Sequence, residues 1–500
     1  MTTNTPVSKT WSFSTVFLIE MWERFGYYGM QALIVLYMVE RLGFNDDRAN
    51  LTWGAAAALI YVSPAIGGWI GDKILGTRHS MLLGAVILAF GYALITIPNE
   101  NVWFLFSSLG VIVVGNGLFK ANAGNLVRKI YEGDDSKIDS AFTIYYMAVN
   151  VGSAISMLLT PKIKDWVNAA YHNNMGWHAA FAVCCFGLLI GLGNYMVMRH
   201  TLNHIGSEPD TKPMDMRKLG LVLAGGLLTV FLSAVILNFE GLAKIFVIAA
   251  ALVVLGIFIY LISVSHRDER AGLIAALVLT IQTIFFFIFY QQMSTSLNLF
   301  ALRNVDWHIN LFGWRFMASP AQFQALNPLW IFALSPILAL IYSFAGKRGK
   351  DISVATKFAL GFAVVAIGFF IYGVAGNFAV DGKTSWFVLL LGYGFYSLGE
   401  LLVSGLGLAM IARYVPARMG GFMMGAYFIA VGVSQYAGGF VATYASVPQD
   451  ITDPLQTLPI YTSLFNKLGY AAIACTLIAI AVLPLMKKLS AEHHSNSNGN

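Results

Sequence analysis

Apolar runs broken by short polar punctuation recur along the whole chain, at the ~20-residue length that matches the hydrocarbon thickness of a bilayer. Read at that length, the pattern predicts fourteen helices, at 13–39, 50–74, 79–97, 102–127, 140–161, 177–199, 217–238, 242–264, 271–301, 323–345, 354–377, 385–412, 419–445 and 464–486. Charged, Gly and Pro residues mark most of the breaks, as at 72–80, 131–139, 266–270 and 448–454. The first apolar run carries charges and is too long for a signal-peptide core, so it is expected to be a retained span.

The predicted elements group into an all-α membrane architecture of two six-helix blocks. The expected organisation is an N-terminal segment 1–12, a first bundle 13–200, a polar linker 201–216, an inserted helix pair 217–265, a second bundle 270–489 and a disordered tail 490–500. The inserted pair has essentially no ionisable residue in its interior, so it is expected to face lipid. A 6+2+6 order fits transporters built from two related halves that move about a central site. With both termini on the cytoplasmic side, about twenty Lys/Arg fall inside and about nine outside; the inverted topology would reverse that ratio.

Composition agrees with this and removes rivals. Hydrophobic residues make up 57% of the chain and charged residues 11%, far from the balance of a soluble domain. The net charge of +6 comes from Lys and Arg scattered at helix ends, so no nucleic acid is implied. Cys184, Cys185 and Cys475 lie inside apolar runs, without disulfide or metal-ligand spacing. No phosphate-binding glycine loop, metalloprotease motif or nucleophile elbow is present, which argues against an ATP-driven pump or an intramembrane enzyme. No cofactor and no metal are implied.

Ionisable residues inside spans are costly and mark function. Here they are few. Glu20, Glu23, Arg24, Tyr27 and Gln31 fall on one face of the first span at helical spacing, with Tyr28 at its margin. Two carboxylates beside one guanidinium cannot all stay ionised in a low dielectric, so one is expected to carry a proton. An inert ion pair would also put charges here, but three charges exceed what a staple between helices needs. Lys120 lies ~12 Å along the helix axis from the basic end of the fourth span, too deep for easy snorkelling. Glu400 is near the middle of the twelfth. A buried cation in one block and a buried anion in the other suit a zwitterion with free amino and carboxyl ends. Asn150, Asn327 and Tyr61 could line the same cavity, and Pro328 disfavours helix at Asn327.

On these residues the chain resembles a known family. Glu20-x-x-Glu23-Arg24-Phe25-x-Tyr27-Tyr28-Gly29 is similar to the signature of the proton-dependent oligopeptide transporters, the POT family of the major facilitator superfamily. Gly67-Gly-Trp-Ile-Gly-Asp72-Lys-Ile-Leu-Gly76 and Phe142-Thr-Ile-Tyr-Tyr146-Met-Ala-Val-Asn150-Val-Gly152-Ser153 look like two further signatures. With Gly117-x-x-Lys120-x-Asn122, Phe323-Gln-Ala-Leu-Asn327-Pro328 and Gly399-Glu400, the resemblance covers nearly the whole chain, and the inserted pair resembles the bacterial members.

The resemblance implies an inner-membrane symporter whose partners are protons and di- or tripeptides, with no cofactor beyond the proton gradient; a monomer is expected. Glu20, Glu23 and Arg24 would couple protons. Arg24 and Lys120 would meet the peptide carboxylate, and Glu400, Asn150 and Asn327 the amine. Tyr27, Tyr28 and Tyr61 would line the pocket, and Asp72 would act in gating. Three departures bear on this. Gln31 stands where many members have a second basic residue, Gln291-Gln292 where a glutamate usually precedes the glutamine, and Tyr427 where a tryptophan is common. Proton coupling is therefore expected to rest on Glu20 and Glu23. The rivals are a facilitator for nitrate or a drug, and a peptide receptor, which would ordinarily carry a soluble signalling domain.

Overall fold

The computed structural model describes residues 7–350, 352–405, 407, 410 and 414–497. Residues 1–6 of the expected N-terminal segment, 406, 408, 409 and 411–413 at the end of the expected span 385–412, and 498–500 of the expected tail lie outside the described residues.

Among the described residues, each of the fourteen expected spans corresponds to a helix. They are α1 (Lys9–Leu36), α2 (Asp46–Ile70), α3 (Thr77–Thr96), α4 (Val102–Ile130), α5 (Asp135–Tyr171), α6 (Gly176–Met198), α7 (Met216–Asn238), α8 (Glu240–Val264) and α9 (Arg267–Tyr290). After a nine-residue α10 (Ser296–Asn304) follow α11 (Leu326–Lys347), α12 (Val354–Gly373), α13 (Trp386–Val403), α14 (Gly420–Ala442) and α15 (Pro454–Ser497). Twelve spans meet a simple criterion of length, apolarity and low charge. Of the fourteen, α1 and α14 do not; in α1 the charges Glu20, Glu23 and Arg24 sit in the middle of the helix.

Several boundaries differ from expectation, each for a local reason. The expected span 271–301 is broken: a 3₁₀ turn, Gln291–Met293, separates α9 from α10. Side chains take the carbonyls freed by the break, Thr295 Oγ1 donating to Gln291 O at 2.8 Å and Gln292 Nε2 to Ile288 O at 3.0 Å. The irregularity expected at Asn327 lies just upstream, in the 3₁₀ turn Pro320–Ala325. Pro328 itself occupies the first turn of α11, where its missing N–H costs nothing. The last helix continues to Ser497, through most of the stretch expected to be a disordered tail. Two tight antiparallel hairpins were not anticipated: His308–Leu311 with Trp314–Met317, and Ala379–Val380 with Lys383–Thr384. Their turn residues Phe312-Gly313 and Asp381-Gly382 all have positive φ, the conformation two-residue hairpin loops require.

Contacts divide the chain into two compact units, Met1–Ile34 with Leu59–Leu242, and Val35–Ala58 with Ala243–Asn500. This division cuts across the expected segments. The end of α1 and the first half of α2 belong with the second unit, while α7 goes with the first and nearly all of α8 with the second. The inserted pair is little covered, with 11% of the most apolar window of α7 and 22% of that of α8 buried. That exposure does not single the pair out, since α11 shows only 6%.

In the first unit, close helix approach depends on small residues. A Cβ on Gly67 of α2 would lie 1.8 Å from the Gly117 carbonyl oxygen of α4, so neither helix could move in with a larger residue there. The linker after α6 is strapped to the α2–α3 turn by Asp210. Its carboxylate accepts from the backbone N–H groups of Arg78 (3.0 Å) and His79 (3.2 Å), capping α3 from a distant part of the chain, and from Ser207 N–H (3.0 Å). Gly76 precedes the helix at φ +98°, and a Cβ there would strike Asp210 Oδ1 at 2.2 Å. Asp210→Ala leaves three donors without their acceptor. The expected loss is about 2 kcal/mol, read as a fall of several degrees in the thermal unfolding midpoint of the detergent-purified protein, with Asp210→Asn losing less.

In the second unit, Asp46 at the start of α2 is 2% exposed and takes two hydrogen bonds from Arg303 at the end of α10, at 2.5 and 2.8 Å. Arg303 also donates to the Tyr461 hydroxyl (2.7 Å), and Val447 N–H donates to Asp46 (2.9 Å). Trp53 Nε1 donates to Ser294 Oγ at 3.0 Å. The α2 segment is thereby hydrogen-bonded into this unit rather than packed by apolar contact alone.

Candidate functional site

The polar stripe of α1 is buried in the first unit. Glu23 is fully buried, and Glu20 and Arg24 are each 3% exposed. Arg24 Nε and Nη2 donate to the two Glu23 oxygens at 2.5 and 2.8 Å, and Nη2 also donates to Asn116 Oδ1 at 2.9 Å. The guanidinium carbon lies 4.8 Å from the Tyr27 ring centroid and 5.9 Å from that of Tyr28. Glu20 is held more loosely by this cation, at 3.7 Å, and takes a hydrogen bond from the Tyr145 hydroxyl of α5 at 2.7 Å. Two carboxyl groups thus share one guanidinium, with one strongly engaged and the other shared with a neutral donor.

Asn116 fixes this geometry. Its Nδ2 donates to the Ile60 carbonyl of α2 at 2.9 Å while its oxygen accepts from Arg24, so one side chain ties α1, α2 and α4 together. Lys120 lies one turn further along α4, on the same face. Its ammonium sits 4.5 Å from the Tyr61 ring centroid. Asn150, 4% exposed, donates to the Tyr146 carbonyl of its own helix. Gln31 is buried at the far end of the stripe.

A second polar cluster lies in the second unit. Asn327 Nδ2 donates to Glu400 Oε2 at 2.6 Å and to Ser397 Oγ at 3.0 Å, linking the start of α11 to the last two turns of α13, nearer its end than the mid-span position expected for Glu400. Glu400 is 6% exposed. Gln291 is buried in the break after α9 and packs on Gly438 of α14. Tyr427 packs against Gly407. Asp72, in a π-helical turn that ends α2, accepts from Asn125 of α4 at 2.9 Å.

The structure therefore brings Glu20, Glu23, Arg24, Tyr27 and Tyr28 into one cluster, places Lys120 on Tyr61, and joins Asn327 to Glu400. Sequence reasoning missed three partners: Asn116, Tyr145 and Ser397. The signal for Asn116 was its position four residues before Lys120, and for Ser397 three residues before Glu400. Nothing local marks Tyr145 as the partner of Glu20. Among the described residues, no group of three or more potential metal ligands is present.

Fold and site together define a multi-pass α-helical membrane transporter of the major facilitator type. The POT family (PTR2) matches residues 78–460, and the chain belongs to that family. It is 42% identical over 479 residues to dipeptide and tripeptide permease B of Aliivibrio fischeri strain MJ11, covering 95% of this chain and 94% of the permease. The corresponding permease B of Salmonella typhimurium strain LT2 is 42% identical over 483 residues, with 95% of each chain covered. Among solved structures, a tetrameric PepTSo2 crystal structure matches with a TM-score of 0.88 at 68% identity, covering 97% of this chain and all of that one. A POT family transporter in complex with 5-aminolevulinic acid matches with a TM-score of 0.79 at 28% identity, covering 95% and 96%.

Proposed function

We propose that the chain is a proton-coupled symporter that imports di- and tripeptides, and peptide-like drugs, across the bacterial inner membrane by alternating access. The observation that carries this is the buried cluster in which Glu20 and Glu23 share Arg24. Its charge balance changes with a single proton, and its cation is of the kind that binds a peptide carboxylate. The relatives named dipeptide and tripeptide permease support the substrate class.

In this reading, Glu20 and Glu23 take up the proton. Protonation weakens their hold on Arg24, which then meets the peptide carboxylate together with Lys120. Glu400, oriented by Asn327 and Ser397, takes the amine, assisted by Asn150. Tyr27, Tyr28 and Tyr61 line the peptide path. Asp72, through Asn125, acts in gating, and Gln291 occupies a gating position without supplying a titratable group. Because the solved PepTSo2 relatives are described as tetrameric, we place a tetramer ahead of the monomer expected from the sequence; native mass spectrometry separates the two.

The test is uptake of labelled dialanine into proteoliposomes under an inward proton gradient. Unlabelled dialanine is expected to compete, and N-acetyl-dialanine to compete at least about tenfold more weakly, since it lacks the charge-assisted contact of the amine. Equal competition by both, or uptake indifferent to the gradient, would overturn the reading.

A further inference from the structure

The strap that caps α3 creates a second feature of the first unit, away from the buried clusters. Between the end of α2, the end of α4, the linker and the start of α7 lies a cavity of about 690 Å³. Lys73, Arg128, Lys129, Lys212 and Lys218 line it, with Asp72, Glu208 and Asp215 as the acidic residues. The Lys/Arg distribution assigns this face to the cytoplasm.

The acidic residues are already engaged. Asp72 accepts from Asn125. Asp215 caps α7, accepting from the backbone N–H groups of Arg217 and Lys218. Glu208 is paired with Lys212 at 3.0 Å, and that hydrogen bond holds its carboxyl below its ordinary value. Arg128 donates one bond to the neutral Asn125. Lys73, Arg128, Lys129 and Lys218 have no carboxylate within 4.0 Å among the described residues. Four cations carried by three different elements thus converge, with the Lys212–Glu208 pair, on one polar cavity in which five Lys and Arg residues outnumber three carboxylates. Asp210 holds the linker wall in place, so the cavity is not the product of a free loop.

We propose that this cavity holds the phosphate of an anionic phospholipid headgroup. Convergent Lys and Arg at a membrane border suit a phosphate. The neighbouring helix supplies what the acyl chains need: beyond Lys218 and on its side of the helix, α7 presents Leu221, Leu228 and Leu232, exposed at 74%, 58% and 48%. A soluble phosphate would satisfy the cations equally well but would gain nothing from that apolar face.

The test uses the full-length protein in detergent, titrated separately with phosphatidylglycerol, phosphatidylcholine and inorganic phosphate. Bound lipid is counted by native mass spectrometry, and stability is followed by thermal unfolding. Phosphatidylglycerol is expected to bind and raise the unfolding midpoint more than phosphatidylcholine. The combined variant Lys73→Gln, Arg128→Gln, Lys129→Gln and Lys218→Gln should weaken its binding by at least about tenfold. The control variant Lys487→Gln, Lys488→Gln, whose cations lie on α15, should retain it. All six positions are at the surface or its margin, so both variants are expected to fold. Undiminished binding in the four-site variant overturns the site. Equal stabilisation by inorganic phosphate overturns the lipid assignment and leaves a soluble-anion site.

Discussion

Glu23→Gln disables gradient-driven peptide accumulation: initial uptake of dialanine into proteoliposomes under an inward proton gradient is expected to fall by about a hundredfold. Counterflow exchange, with peptide on both sides and no gradient, should stay within about tenfold of the parent rate. The reasoning starts from burial. Glu23 is fully enclosed and uses both oxygens on Arg24. A buried charge-assisted hydrogen bond contributes about 1.5–3 kcal/mol, and at ~1.4 kcal/mol per factor of ten, losing it as a switchable element shifts rates by one to two decades. Glutamine keeps the shape and one acceptor for Arg24, so the helix stays in register. What it removes is the ability of the pair to exist in two charge states. Coupling then fails while the binding path survives. Gradient-driven uptake within about threefold of the parent would show that the proton is carried elsewhere.

Glu400→Gln is the second large effect, and it depends on the substrate. Apparent affinity for dialanine should drop by about 30- to 100-fold, matching the loss of one charge-assisted contact to an ammonium group. N-acetyl-dialanine, which has no ammonium, should change by no more than about twofold. Lys120→Gln is the mirror case: it should penalise dialanine and spare its C-terminal amide. The selectivity separates recognition from architecture, because Glu400 also holds Asn327 at 2.6 Å. If the substitution acted only by loosening α11 from α13, both substrates would suffer alike, and that result would remove Glu400 from the substrate.

Much of this protein is written in local pattern. The spans follow from apolar runs of bilayer length, since in lipid every backbone polar group must be satisfied within a helix. The stripe Glu20, Glu23, Arg24, Tyr27 is a property of one helix with 3.6 residues per turn, and so it can be read before any neighbour is known. The same holds for the depth of Lys120 and Glu400. What escaped were features set by one or two residues: the break at Gln291–Met293, and the hairpins at Phe312-Gly313 and Asp381-Gly382. Asp-Gly is a recognised hairpin signal, but within a chain dominated by long apolar helices its two-residue strands are too short to register as alternation.

The sequence by itself determined the class of fold, the number of spans, the polar face of α1 and the identity of the few charges inside the membrane. The tertiary structure alone decided which distant groups complete them and cap the helices. Arg24 finds Asn116 from 92 residues away, Glu20 finds Tyr145 from 125, Glu400 finds Asn327 from 73, and the α3 N-terminus finds Asp210 from 132. A buried charge must have partners, so the sequence could announce that partners exist. Helical periodicity relates residues three or four apart, and it carries no information about which distant helix will lie alongside.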